Sequence, residues 1–130
     1  MNERIRSYRD LSVWQLGMEL AEAACRLTDD FPPQQRYGLG SQLQRSAISV
    51  PANVAEGHGR DSTKQFLYDV SVAMGSLCET ETHLILTERL GHANRQTTHE
   101  LLGKCDRLGR MLRNLQKSLK AKLTAPPIEP

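Results

Sequence analysis

The first candidate for chemistry in this sequence is the run Gly57-His58-Gly59-Arg60, which stands just before a helix start at Asp61-Ser62. Glycines in such a position can present backbone N–H groups to a phosphate. A phosphate-binding loop, however, follows a strand and ends in Lys-Ser or Lys-Thr, and this run has neither feature. We therefore interpret it as a tight turn between two helices, with glycines where φ must become positive.

The residues Glu56, His58 and Asp61 around this run are of the types that perform general acid–base catalysis. Nothing in their spacing fixes a geometry in which they would act together. The sequence therefore predicts no catalytic residue here, and we expect a protein that is not an enzyme and uses no cofactor.

A metal site is the next candidate, because Glu79 and His83 lie one helical turn apart, with His92 and His99 downstream. Two such residues on one helix are common by chance, and the sequence has no His-Glu-x-x-His pattern. We expect Glu79 to pair with a basic side chain such as Arg45, and we predict no metal site.

Four segments with helical spacing of apolar residues must position these side chains, and they cover about 10–30, 34–56, 62–90 and 96–120. Proline after Phe31 ends the first segment, and Gly57 and Gly91 end the second and third. Pro51 interrupts the second, where we expect a bend. Short connections make neighbouring helices antiparallel, so the predicted fold is an all-α, up-down-up-down four-helix bundle.

The domain organisation follows from length and composition. The 130 residues are 38% hydrophobic and 25% charged, which is typical of one globular domain. We predict an N-terminal extension over 1–9, the bundle over 10–122 and a disordered, proline-rich tail over 123–130. No apolar run reaches the length of a membrane span, and three scattered cysteines favour reduced thiols in the cytoplasm.

The first helix carries two apolar stripes, although a helix at the surface of a monomeric bundle needs only one. One stripe is Leu11, Trp14, Met18, Ala21 and Cys25, and the other is Val13, Leu16, Leu20, Ala24 and Leu27. We predict that the second stripe is an oligomer interface, formed by Val13, Leu16, Leu20 and Leu27, in a closed ring.

The fourth helix has a single stripe of leucines, and its outer face is strongly basic. The basic side chains are Lys104, Arg107, Arg110, Arg113, Lys117 and Lys120, followed by Lys122. Only Asp106 opposes them on this stretch. A run of charge is often just a solvated face, but an excess of one sign also favours binding of an anionic partner such as RNA or DNA.

Three stretches of the chain resemble one family. These are DLSVWQLGMELA near the start, FPPQQRYGLGSQLQRSAISVPANVAEGHGR in the middle and GSLCETETHL later, and together they span roughly residues 9 to 115. They resemble the bacterial four-helix bundle proteins first noted as products of intervening sequences within large-subunit ribosomal RNA genes.

The resemblance implies a homopentameric ring of bundles. It also implies a structural signature at the matching positions Arg45, Pro51, Asn53, Glu56, Gly57 and Arg60. One branch of the family is the accessory protein of diversity-generating retroelements, a basic ring that binds nucleic acid and a reverse transcriptase. No feature of this sequence marks that branch.

Two hypotheses about function remain open. In the first, the protein is a non-enzymatic homo-oligomeric scaffold, a pentamer by resemblance, whose basic surface holds RNA, DNA or a nucleic-acid protein such as a reverse transcriptase. In the second, it is a ring-forming adaptor for a protein partner, binds no nucleic acid, and its basic face is only solvated.

Overall fold

The computed structural model of the chain describes residues 4–125, and four α-helices account for most of them. They are α1 (Ser12–Thr28), α2 (Ser41–Gly59), α3 (Thr63–Arg89) and α4 (Arg95–Thr124). A 3-10 turn, Tyr8–Asp10, precedes α1, and a helical turn, Pro33–Gln35, followed by a π-helical turn, Arg36–Gly40, leads into α2. No β-strand occurs between residues 4 and 125, so the predicted all-α, four-helix class is confirmed.

The starts of α3 and α4 both have side-chain caps. The Ser62 hydroxyl accepts a hydrogen bond from the backbone N–H of Gln65 at 3.2 Å, and the Asn94 side-chain oxygen accepts one from the N–H of Gln96 at 2.7 Å. After α3, Gly91 adopts a positive φ of 71°, which is the conformation that glycine supplies after a helix end.

Neighbouring helices run antiparallel, as their contacts show. Ser49 in the middle of α2 bonds Ser76 in the middle of α3, while Gly57 at the end of α2 lies against Asp69 near the start of α3. α2 and α4 each pack against both α1 and α3. They therefore occupy diagonal corners of the bundle.

The predicted oligomer interface is wrong, because its residues are in the core of the single chain. Val13, Leu16, Leu20 and Leu27 are all buried, with Leu20 fully so. The outward side of α1 is instead the other apolar stripe, on which Met18 is 45% exposed. The spacing of residues along one helix locates both stripes but does not say which one faces the neighbouring helices.

The end of α2 also differs from the prediction. The chain is helical through Gly59, and Gly57 lies inside the helix without a positive φ. The turn to α3 consists of only Arg60–Ser62. At the other end of the chain, α4 continues to Thr124, two residues beyond the predicted end of the bundle. Residues 126–130 of the predicted tail and 1–3 of the predicted extension lie outside the described residues.

Gly57 is required by close packing rather than by backbone conformation. A Cβ atom at this position would lie 2.7 Å from Cβ of Asp69 and 2.9 Å from Cδ1 of Phe66. No atom lies within 4 Å of a Cβ built at Gly59, two residues later on the same helix. The two glycines thus have different roles although they stand in one motif.

Replacing Gly57 and Gly59 separately by alanine tests this assignment. Gly57→Ala should lower the free energy of unfolding by about 1–3 kcal/mol, because α2 and α3 must separate to admit the methyl group. Gly59→Ala should change it by less than about 1 kcal/mol, and in the stabilising direction, since alanine is the better helix former. Urea denaturation followed by circular dichroism measures both, and equal losses in the two variants would contradict the packing role.

Candidate functional site

Pro51 lies inside α2, does not end it and is buried against α1. A Cβ atom on Gly17 of α1 would lie 3.3 Å from Cβ of Pro51, so the absence of a side chain at Gly17 lets the proline ring pack there. The side-chain amide of Asn53 donates to the backbone oxygen of Ser49 at 2.8 Å and to its hydroxyl at 2.9 Å. These bonds hold Ser49, two residues before the proline. The carbonyl that Pro51 leaves without its helical N–H donor is that of Ala47, so satisfaction of this freed group by Asn53 stays a prediction.

Arg60 joins the end of α2 to α3. Its Nη2 donates to Glu56 at 2.6 Å and its Nε to Asp69 at 3.0 Å. The Asp69 carboxylate is almost fully buried, so this ion pair compensates a charge that would otherwise be costly in the interior. The hydrogen bond to Glu56, followed by the nearby charges, raises the pKa of Arg60.

The possible acid–base set around this turn is not brought together. Glu56 is bound to Arg60, while the His58 ring packs edge-on against Phe66 with centroids 5.6 Å apart. No hydrogen bond joins Glu56, His58 and Asp61 to one another in the part of the chain described. Glu56 and His58 instead contact Arg60 and Phe66.

A line of small polar side chains crosses the contact between α2 and α3. The hydroxyls of Ser49 and Ser76 are 2.9 Å apart, Thr80 donates to the Ser46 hydroxyl at 3.0 Å, and Ser46 lies 3.2 Å from Nδ1 of His83. This line of polar contacts was not predicted from the sequence. Its signal was present, because these residues recur at helical spacing on the inner sides of both helices.

Next to these polar side chains, a cavity of about 390 Å³ opens to the surface, and we call it the polar pocket. It is lined by Gln42, Arg45, Ser46 and Ser49 of α2 and by Ser76, Glu79 and His83 of α3. The expected ion pair between Arg45 and Glu79 is wrong, since no such pair within 4 Å occurs among residues 4–125. Both side chains lie at the rim of one pocket because α2 and α3 are close, but their charged groups do not meet.

Glu79 and His83 line the polar pocket together. Among the described residues, no group of three or more histidine, cysteine, aspartate or glutamate side chains is arranged to hold a metal ion. His83 uses its Nδ1 toward Ser46, and His99 instead binds Glu88 at 3.1 Å.

An apolar groove of about 560 Å³ lies between α1 and α2. Its lining includes Trp14, Met18 and Cys25 from α1 and Ile48, Pro51 and Ala52 from α2. Met18 and Ile48 are 45% and 48% exposed. The stripe with Trp14, Met18 and Cys25 therefore contributes to the surface of the bundle.

The basic side chains of α4 form a solvent-facing surface, which we call the basic face. Arg107, Arg110, Arg113, Lys117 and Lys120 are exposed, and Lys104 is partly buried. Within residues 4–125, none of them makes an ion pair. In the described residues, no carboxylate therefore lies within ion-pair distance of these side chains.

Acidic groups do lie at one edge of the basic face. Glu81 and Asp106 line the same shallow cavity as Arg110 and Arg113. Burial, and then the charge of Asp106, raises the pKa of Glu81. Burial, followed by the same two carboxylates, raises the pKa of the Cys105 thiol to about 12, so this thiol is uncharged at neutral pH.

The sequence matches the family described as 23S rRNA-intervening sequence protein over residues 9–114, which is most of the chain. The chain belongs to this family. The resemblance drawn from the three sequence stretches is therefore confirmed. No curated protein matches the sequence.

A solved structure supports the fold of this family member. The chain is similar, with a TM-score of 0.76 and 23% identity, to the crystal structure of a protein of unknown function from the S23 ribosomal protein family of Bacteroides thetaiotaomicron. The match covers 81% of this chain and 98% of that one. At this identity the likeness supports the fold alone. None of the described helices is long and apolar enough to cross a membrane.

The hydrogen bonds of Asn53 predict an order of stability for its variants. Asn53→Leu should lower the free energy of unfolding by about 1–3 kcal/mol, because leucine cannot bond to Ser49. Asn53→Ser should cost less, since a hydroxyl can still donate to the same backbone oxygen. Thermal and urea unfolding measure the difference, and equal stability of the two variants would rule out this role for the amide.

Proposed function

We propose that this protein is a non-catalytic, homo-oligomeric scaffold of the cytoplasm that binds nucleic acid through the basic face of α4. The observation that carries the proposal is the set of exposed arginines and lysines from Arg107 to Lys120, which have no ion-pair partner in the described chain. Such side chains can replace the counterions of a phosphate backbone, and the released counterions favour binding.

The basic face suits a phosphate backbone better than a particular base sequence. α4 contains no aromatic residue on which bases could stack. Its cations are arginine and lysine side chains on the outside of one long helix, which can follow a backbone but cannot surround a base. We therefore expect weak binding with little preference between sequences.

Self-association would strengthen this weak binding. The apolar groove between α1 and α2 exposes Met18 and Ile48 beside the partly buried Trp14, and covering them with another copy would be favourable. α2 and α4 occupy diagonal corners, so a copy seated in the groove would leave the basic face of the groove's own subunit free. Each added subunit then contributes one more set of phosphate contacts.

The subunit number in this proposal comes from the family resemblance, which implies a pentamer. A groove that contacts a different surface of the next copy must either close into a ring or continue as a filament. The alternative function is a ring-forming adaptor for a protein such as a nucleic-acid enzyme, and it becomes the better one if the basic face binds neither RNA nor DNA.

The groove predicts which substitutions separate subunits. In light scattering, the natural protein should have a mass several times the 14.6 kDa of one chain. Met18→Glu/Ile48→Glu should lower that mass while helical circular dichroism is kept, because both side chains are exposed in the single bundle.

Two controls make this result interpretable. Tyr37→Glu changes an aromatic side chain that is 92% exposed away from the groove and should leave the mass unchanged. Leu20→Glu places a charge at a fully buried position and should unfold the bundle instead. A monomeric natural protein, or a double variant that keeps the full mass, would show that the groove is not a subunit interface.

Binding of labelled RNA and DNA across a salt series tests the basic face. Fluorescence anisotropy should show binding at about 50 mM salt that weakens linearly on logarithmic axes as salt rises. Arg107→Glu/Arg110→Glu/Arg113→Glu should abolish most of this binding. A single neutral replacement at any one of these arginines should lower the steepness of log affinity against log salt concentration by about 1.

The matched control reverses three exposed basic side chains elsewhere that make no ion pair in the described residues, as Arg6→Glu/Lys64→Glu/Arg89→Glu, and so changes the net charge equally. It should retain most of the affinity if the basic face is the binding surface. If both triple variants lose binding alike, the effect comes from net charge, and if the natural protein binds nothing, the adaptor function takes precedence.

A further inference from the structure

The polar pocket between α2 and α3 is unlike a contact between two helices in a bundle core, because every side chain that lines it is polar. Hydroxyl and charged groups at such a contact stabilise the fold less than apolar packing would. Neither the basic face nor the apolar groove uses this pocket. The polar lining of this pocket is therefore accounted for neither by nucleic-acid binding nor by self-association.

The inner wall of the pocket is held in place by its own hydrogen bonds. Asn53 donates to the Ser49 hydroxyl at 2.9 Å, which lies 2.9 Å from the Ser76 hydroxyl. Thr80, fully buried, donates to the Ser46 hydroxyl at 3.0 Å. The serine hydroxyls are thus positioned before any ligand arrives, which reduces the ordering that binding requires.

The rim of the pocket carries opposite charges on its two sides. Arg45 comes from α2 and Glu79 from α3, and neither makes an ion pair in the described residues. A guanidinium is suited to a carboxylate, which it binds through two parallel hydrogen bonds. A carboxylate such as Glu79 is suited to an ammonium group.

We infer that the polar pocket binds a small zwitterion of the class of free α-amino acids. Its carboxylate would bind Arg45, its ammonium would bind Glu79, and its remaining polar atoms would meet the hydroxyls of the inner wall. The cavity of about 390 Å³ has room for one such molecule. A ligand with only one of the two charges would leave either Arg45 or Glu79 without a partner.

A titration of the ¹⁵N-labelled protein with a panel of free L-amino acids, followed by two-dimensional NMR, tests this inference. At least one amino acid should cause saturable shifts in the amide signals of Ser46, Ser49 and Ser76. For that amino acid, the decarboxylated amine and the deaminated acid should each bind about tenfold more weakly or worse. A panel in which no amino acid gives saturable shifts would overturn the inference.

Variants of the rim distinguish the pocket from weak binding elsewhere. Arg45→Gln and Glu79→Gln should each weaken the same titration about tenfold or more, since each loses a charge-assisted hydrogen bond. The controls Arg89→Gln and Glu100→Gln remove matched exposed charges outside the pocket and should leave it unchanged. Equal binding by all four variants would refute the assignment.

A second copy of the chain is the other conceivable occupant of the pocket. In that case the same amide signals would shift with protein concentration in the absence of any amino acid, and the inference would fail. The outcome is independent of the proposed nucleic-acid binding, because the titration involves no residue of α4.

Discussion

α2 packs closely against both α1 and α3, because a glycine stands at each of the two contacts. On one side, Gly17 of α1 lies against the ring of Pro51, and a Cβ at Gly17 would be 3.3 Å from that ring. On the other side, Gly57 lies against Asp69 of α3 with no room for a methyl group. Two residues without side chains thus set the position of one helix between two others.

The hydrogen bonds across the bundle follow from this approach. Short hydroxyl side chains can bond between helices only when the backbones are close, and Ser49 and Ser76 do so at 2.9 Å. At the end of the same contact, Arg60 reaches Asp69 and satisfies a buried carboxylate. The packing of α2 therefore decides where polar groups can exist in the interior without being left unpaired.

The positions of the four helices also keep the apolar groove, the polar pocket and the basic face apart. α2 contributes to the apolar groove on its α1 side and to the polar pocket on its α3 side, whereas α4 at the diagonal corner presents the basic face. An apolar surface, a dipolar pocket and a cationic surface are thus separated on one small bundle. Separation of this kind allows one surface to be occupied without blocking another.

The four helices, the helix limits near Ser62 and Gly91, the basic outer side of α4 and the family were all predictable from the sequence, because capping residues, helical spacing and long motifs are local features. The packing of the helices was needed to show that Leu20 is inside and Met18 outside, and that Gly57 continues a helix. It was also needed to show that Arg45 and Glu79 share a pocket without pairing. Helical spacing gives the angle of each residue around its own helix axis. It does not give the positions of the neighbouring helix axes. Those positions decide which side of each helix is buried and how far apart two side chains on different helices lie.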